Sequence, residues 1–269
     1  MKNKSIVLGC VVVLSVLGMQ VWGVCPSMDI TGDCYVDLAD FAVFAGQWMT
    51  GDRVPGGLIA HWLMDDNAAS KTVLDAGDNH LNGTAQQNTE ALTRAGKIGT
   101  ALLFNGTTDW IDCGTNATLL PDAWTVCAWV KCTDAATPLV ISFGGSYPAI
   151  KLQNNSKGKP LIHLGQYNYR YFAASAWTTL KDGQWHHVAF SVPGKAQADV
   201  NQAMMYLDGA PVAGDAPYVT GPQAAKTHVY VGANPPVTTH RFGGTMDDLM
   251  LFDRVLTENE IRRMMNRTP

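Results

Sequence analysis

From Leu58 to Phe252 the chain repeats one pattern, a short apolar run followed by a cluster of Gly, Pro, Asn or Asp. The runs are Leu58–Met64, Ala101–Phe104, Trp124–Val130, Leu139–Phe143, Ala149–Leu152, Leu161–Leu164, Tyr169–Ala173, Trp185–Val192, Ala203–Leu207, His228–Gly232 and Thr245–Phe252. Many strands with no amphipathic helix between them predict an all-β, antiparallel two-sheet sandwich, because each sheet needs a second apolar layer to cover its inner face. In Trp124–Val130 both parities are apolar: Trp124, Val126, Ala128 and Val130 share one face, Cys127 and Trp129 the other. Such a strand is expected in the buried middle of the fold. In the run ending at Val192, the set His186, Val188, Phe190 and Val192 is more apolar than its neighbours and is expected to face the core.

One short C-terminal helix is expected. Thr257-Glu-Asn-Glu260 is a capping box, Ile261, Met264 and Met265 fall on one face, and Arg262, Arg263 and Arg267 lie toward the end where cations suit the helix dipole.

Hydrophobic residues make up 46% of the chain and charged residues 16%, which excludes disorder and a coiled coil. The net charge is -4, and more negative still without Lys2 and Lys4, which argues against nucleic acid or an anionic membrane as partner.

Lys2 and Lys4 precede an apolar run from Ile6 to Val21, and residues 1–23 read as a signal peptide cleaved near Gly23 or Val24. Ser15, Gly18 and Gln20 interrupt the run, so no membrane span is expected in the mature chain, which is expected to be secreted, extracellular or at the cell surface. In that compartment Cys25 and Cys34 are near enough to form a disulfide. Cys113, Cys127 and Cys132 leave at least one thiol over, and Cys127 and Cys132 face opposite sides of their strand. No cysteine has zinc-site spacing.

Asp29, Thr31, Asp33, Asp37 and Asp40, with the Tyr35 carbonyl, provide oxygens in the register of an EF-hand-type calcium loop. Leu38, Phe41, Phe44, Ala45 and Trp48 then follow at helical spacing. Residues 24–50 thus resemble one half of a bacterial dockerin, with Cys34 where a Gly is usual and with a single copy instead of two. The resemblance implies Ca²⁺ as cofactor and a cohesin-like or cell-surface protein as partner. Residues 51–56, rich in Gly and charged residues before Pro55, read as a linker.

Several motifs follow in order. They are Gly57–Asp65, Val73–Asp75, Asn79–Thr84, Gly99–Gly106, Asp109–Asp112, Trp124–Lys131, Asp182–Ala189, Tyr206–Gly209, Val231–Asn234 and Gly243–Phe252. Together they resemble the laminin-G-like jelly-roll domains of the concanavalin A-like lectin/glucanase superfamily over residues 57–269. That architecture hosts lectins, adhesion modules, carbohydrate-binding appendages and hydrolases. Similar domains often hold a structural Ca²⁺ between loops, which makes Asp75, Asp109 and Asp248 expected ligands, with Asp78, Asn79 and Asn82 as further candidates. Turn formation is the competing role, above all for Asn79 and Asn82.

Retaining glucanases of the superfamily carry two Glu and an Asp alternating along one strand. Only three of the 23 acidic residues here are Glu, and Glu90, Glu258 and Glu260 form no such run. Asp65–Asp66 and Asp247–Asp248 are adjacent in sequence and are expected to aim at opposite faces, one buried and one solvated. No Gly-x-Ser-x-Gly elbow occurs, and His186–His187 lies within a strand where a structural role is expected. For a sugar, the richest stretch runs from Gln166 to Phe172, with Tyr167, Asn168 and Arg170 joined by Tyr147 and Trp177 as the expected ligand-binding set, and His240 and Arg241 nearby. The expected function is a secreted, non-catalytic carbohydrate-binding or cell-surface interaction protein. The alternatives are a polysaccharide hydrolase or an accessory subunit of a polysaccharide-degrading system, and a docking component acting through the N-terminal module.

Overall fold

A computed structural model of the chain describes residues 35–40, 54–133, 139–144, 149–154, 158–165, 168–220, 224–235 and 240–267. The chain divides into two compact units, Met1–Arg53 and Val54–Pro269. In the first unit a helical turn begins at Leu38. Asp37 Oδ1 accepts from Ala39 N at 2.6 Å and Asp40 Oδ2 accepts from Asp37 N at 2.9 Å, so two carboxylates cap the orphan amides of that turn.

The second unit begins with β1 (Leu58–Trp62), β2 (Thr72–Val73), β3 (Gly83–Ala85), the short helix α1 (Thr89–Leu92), β4 (Thr93–Ala95), β5 (Thr100–Asn105) and β6 (Ile111–Gly114). It continues with β7 (Trp124–Cys132), β8 (Leu139–Ser142), β9 (Ala149–Asn154), β10 (Lys159–Gly165), β11 (Asn168–Tyr171) and α2 (Ala174–Leu180). The remainder is β12 (His186–Val192), β13 (Met204–Leu207), β14 (Ala210–Val212), β15 (Tyr218–Val219), β16 (Val229–Val231), β17 (Gly243–Phe252) and α3 (Glu258–Met265).

Two antiparallel sheets result. One has the order β14-β13-β12-β7-β17-β5-β4, with β1 also paired to β17, and the other the order β15-β11-β10-β9-β8-β16-β6-β3-β2. Between them Trp62, Phe104, Trp124, Val126, Ile141, Phe143, Ile150, Leu164, Phe190 and Leu251 form the core. Trp124 and Phe143 meet with ring centroids 5.2 Å apart, and Phe104 with Phe242 at 5.7 Å. Each such large side chain contributes roughly 1.5–3 kcal/mol by leaving water.

The apolar second face of β7 has a different cover. Cys127, Ala189, Tyr206, Met250 and Phe252 lie beneath Leu256 and the Ile261 and Met264 side chains of α3. Thr257 caps that helix as its sequence requires, its hydroxyl accepting from Glu260 N while the Glu260 carboxylate reaches back to Thr257 N at 2.8 Å. Val188, Phe190 and Val192 face the core as their alternation predicts. Cys127 lies in the outer cluster and Cys132 in the core, on opposite faces of β7. Cys113, Cys127 and Cys132 are all buried and unpaired, and burial pushes the Cys132 thiol up to about 12.

Two expectations change. Asp247 and Asp248 are both buried, at 0% and 5% exposed, because a register shift between Asp247 and Met250 with Asp248 at φ 50° breaks the alternation of β17. Helix α2 was not foreseen: its N-cap is Ala173 with no side-chain cap, and its only helical signal is the buried set Ala176, Trp177 and Leu180.

Candidate functional site: the outer face of the nine-stranded sheet

Ile111, Ile141, Ile150, Ile162, Leu164, Val229 and Val231 point into the core, so the residues alternating with them form the outer face of the second sheet. Cross-strand register joins one residue from every strand into a single row. Tyr218 opposes Tyr169, which opposes His163, which opposes Ala149. Ala149 opposes Ser142, Ser142 opposes Tyr230, Tyr230 opposes Asp112, Asp112 opposes Thr84, and Thr84 opposes Thr72.

The row carries two aromatic groups separated by two small residues. On one side Tyr169 and Tyr218 stack at 5.0 Å and 18°, with His163 and Tyr171 set edge-on to Tyr169 at 5.5 and 5.4 Å. On the other, His228 and Tyr230 stack at 4.1 Å and 13°, and His228 Nε2 contacts Asp112 Oδ1 at 2.5 Å. Between these two aromatic groups Ala149 and Ser142 are buried, at 2% and 0% exposed, and the Ser142 hydroxyl is tied to the Ala233 carbonyl at 2.7 Å. Four strand spacings separate Tyr169 from Tyr230, or about 19 Å at roughly 4.8 Å per strand.

Lys151 is two residues on from Ala149 and in register with Leu161 and, through it, Tyr171. It is 4% exposed, and its ammonium lies 3.2 Å from His240 Nε2. Burial lowers the Lys151 ammonium to about 8. Burial first, then the charges of Lys151 and Arg241, lower His240 to about 4, so it is neutral at pH 7. Arg241 packs over the Trp110 ring at 5.0 Å and donates to the carbonyls of Thr107 and Asn234. At the Thr72 end of the row, a depression of about 760 Å³ is lined by Asp65, Asp66, Ser70, Thr72, His80 and Asn82, among others.

Of the expected sugar-binding residues, Tyr147 and Tyr167 lie outside the described residues. Asn168 is 0% exposed at the start of β11. Arg170 is turned to the backbone, donating from Nη1 to Asn201 O at 2.9 Å and Ala203 O at 2.8 Å and from Nε to Asp215 O at 3.2 Å. Trp177 lies on the buried face of α2 and offers no ring to solvent. Tyr169 and Tyr171 do lie on the outer face, whereas Tyr218, Tyr230, His163 and Lys151 come from strands far away in sequence and are brought there only by register.

The carboxylates expected to hold metal each have their own partners. Asp75 accepts from His61 N, Gly77 N and Leu81 N at 2.7, 2.8 and 2.7 Å. Asp109 accepts from Gln87 Nε2 at 2.8 Å and Asn105 N at 3.1 Å. Asp248 contacts His61 Nε2 at 2.5 Å and Arg267 Nη1 at 3.5 Å. Asn82 accepts from Asp75 N, and Asn79 donates to Ile59 O, which are loop-tying roles. Among the described residues no three His, Cys, Asp or Glu side chains gather where they could hold a metal ion. Tyr35, Asp37 and Asp40 are described, while Cys25, Asp29, Thr31, Asp33 and Cys34 lie outside the described residues. No helix among the described residues is long and apolar enough to cross a membrane.

The remaining acidic pairs are also engaged. Asp65 Oδ1 accepts from Thr100 N and Oγ1, Asp66 Oδ1 from Leu74 N, and Asp247 Oδ2 from Lys97 N and Ile98 N. His186 stands between Asp208 at 2.8 Å and Asp182 at 3.1 Å, and His187 packs edge-on against Trp129.

Comparison with solved structures gives the same fold at low identity. Domain 4 of AbnA, a GH43 extracellular arabinanase from Geobacillus stearothermophilus solved in complex with arabinotriose, is 23% identical with a TM-score of 0.55, over 78% of this chain and 98% of that one. The Trypanosoma rangeli sialidase in complex with the inhibitor DANA is 17% identical with a TM-score of 0.55, over 85% of this chain but only 38% of the sialidase. The binding domain of Paraclostridial Mosquitocidal Protein 1 is 12% identical with a TM-score of 0.51, over 80% of this chain and 53% of that one. A comparison with curated protein sequences finds no match. The laminin G-type family model described as the concanavalin A-like lectin/glucanases superfamily matches residues 105–262, more than half of the chain, and the protein belongs to that family.

Proposed function

We propose that the second unit is a non-catalytic carbohydrate-binding module that holds a polysaccharide chain along the outer face of the nine-stranded sheet. One observation carries this reading: the row sets Tyr169, Tyr218 and His163 toward one end and Tyr230 and His228 toward the other, with the buried Ala149 and Ser142 between them. Sugar rings present apolar C–H faces and hydroxyl edges, which match aromatic rings and adjacent hydroxyl or imidazole groups. A span of about 19 Å accommodates several sugar units. The arabinotriose complex of the arabinanase domain supports the same class of ligand.

Binding without cleavage fits the carboxylates. Asp65, Asp75, Asp109, Asp247 and Asp248 are each committed to backbone or side-chain donors, whereas hydrolysis needs two carboxyl groups facing one bond. In the same reading the chain is exported, the N-terminal unit takes Ca²⁺ through Asp29, Thr31, Asp33, Tyr35, Asp37 and Asp40, and a cohesin-like or cell-surface protein is its partner. Electrophoresis of the chain through gels containing neutral and acidic polysaccharides, with calcium and with chelator, tests it. Retardation by at least one polysaccharide, relieved by Tyr169→Ala, is expected. Free migration in every gel overturns the reading.

A further inference from the structure

The depression at the Thr72 end of the row is lined entirely by residues between Leu63 and Asn82, a segment described without a gap. Its volume of about 760 Å³ falls in the range of roughly 300–1,000 Å³ in which proteins hold small ligands. The row leads to it: Tyr230 is joined through Asp112 and Thr84 to Thr72, three strand spacings or roughly 14 Å at about 4.8 Å per strand. Thr84 and Thr72 are exposed and the Asp112 side chain is 41% exposed, so a ligand laid on Tyr230 can reach the depression over solvent-accessible surface.

The lining is amphiphilic. Leu74 is 57% exposed and stands among side chains with unused hydrogen-bonding capacity. Among the described residues Asn67, Thr72 and His80 make no side-chain hydrogen bond, and Asn82 uses only Oδ1, on Asp75 N. Asp65 and Asp66 commit Oδ1 to Thr100 and to Leu74 N respectively, and the Oδ2 of each accepts nothing from another residue. Burial first, and also the charge of Asp65, raise the Asp66 carboxyl above its ordinary value against the backbone amides of Leu74 and Asp66. Further donors there would favour its ionised form. Amide, hydroxyl, imidazole and carboxylate groups around an apolar side chain match a sugar ring, whose hydroxyls donate and accept at the edge while its C–H groups form an apolar face.

Charge narrows the class of sugar. Asp65, Asp66 and Asp75 line the depression and no Lys or Arg does; Lys71, exposed between Ser70 and Thr72, is not part of the lining. A ligand carboxylate or sulfate would face carboxylates with no cation between them, whereas sugar hydroxyls donate to those carboxylates.

We propose that the depression is a further sugar subsite, which takes a neutral unit of the polysaccharide through Asp66, Asn67, Thr72 and Leu74 and rejects uronate and sulfated units through Asp65 and Asp66. The inference rests on the carbohydrate-binding reading and adds to it a place and a class of sugar.

Electrophoresis of the full chain through gels containing arabinan, xylan or galactan as neutral polysaccharides, and polygalacturonate or chondroitin sulfate as acidic ones, tests it. A neutral polysaccharide is expected to retard the unaltered chain most. Asn67→Ala with Thr72→Val, which removes two unengaged polar groups, should weaken that retardation about three- to tenfold. Asp65→Asn with Asp66→Asn keeps acceptors for Thr100 and Leu74 and should raise retardation by the acidic polysaccharides. Asp253→Asn with Glu258→Gln makes the same change of charge beside α3, on the other sheet, and should raise it less. Should the first double variant fail to fold, the exposed Asn67→Ala alone is read in its place. Strongest retardation by an acidic polysaccharide, unchanged retardation of the Asn67 and Thr72 variant, or an equal rise with the control pair overturns the subsite and leaves carbohydrate binding along the row standing. Free migration of the unaltered chain in every gel overturns both.

Discussion

Tyr169 of β11 and Tyr218 of the two-residue strand β15 stack face to face, with ring centroids 5.0 Å apart and planes 18° from parallel. The stack extends the aromatic group to the edge of the sheet, where Tyr218 remains 45% exposed. Its removal should therefore affect ligand more than fold. Tyr218→Ala is expected to lower stability by no more than about 1 kcal/mol while weakening binding of an oligosaccharide laid along the row several-fold, read from urea unfolding and calorimetry on the same sample.

Arg170 divides those two properties the other way. Its guanidinium ties β11 to the carbonyls of Asn201, Ala203 and Asp215, and Gly214 sits so close that a Cβ there would lie 2.4 Å from Arg170 Nε. Arg170→Met leaves those carbonyls short of a donor and should cost roughly 1–3 kcal/mol in urea unfolding. Sugar affinity of the folded fraction should stay within a factor of about two. A large loss of affinity with unchanged stability would instead make Arg170 a ligand contact.

Asp247 makes stability depend on pH in an unusual direction. Burial first, opposed by the amides of Ile98 and Lys97 and reinforced by the charges of Asp248 and Asp65, raises its carboxyl to about 7. Its Oδ1 is buried with no partner. Between about pH 4 and pH 7 the unfolded chain releases this proton while the folded chain keeps it, so the contribution of Asp247 to stability falls as pH rises through that window. Above pH 7 the full cost of a buried carboxylate is present. Asp247→Asn keeps an acceptor for the two amides and removes the charge, and should stabilise the protein at pH 8 by on the order of 2 kcal/mol while flattening the profile between pH 4 and 7. An unchanged profile in thermal unfolding across that range would refute it.

Much of this fold is legible in the chain. The two apolar parities of Trp124–Cys132 announce a strand covered on both sides, and Thr257-Glu-Asn-Glu260 announces the start of α3. Strands of two or three residues such as β2 and β15 carry too few alternations to register, and α2 lacks a capping side chain. Trp177 illustrates the cost: read as a loop aromatic available to a sugar, it is a helix residue packed into the core. The site is hidden for a further reason. Tyr230, Ala149, His163 and Tyr218 are brought into one row only through the register of six strands, which local sequence does not encode, and the break in β17 that buries Asp248 along with Asp247 arises from pairing with β7.

The two aromatic groups provide the most direct test of the account. Calorimetry should be run with whichever oligosaccharide binds best, on the unaltered chain, on Tyr169→Ala, on Tyr230→Ala and on the double variant, each verified as folded by circular dichroism. Each single change is expected to weaken binding about five- to twentyfold, and the double change by more than about a hundredfold, as for two aromatic anchors of one extended ligand. A folded double variant that binds with the affinity of the unaltered chain would show that the sugar lies elsewhere and would contradict the account.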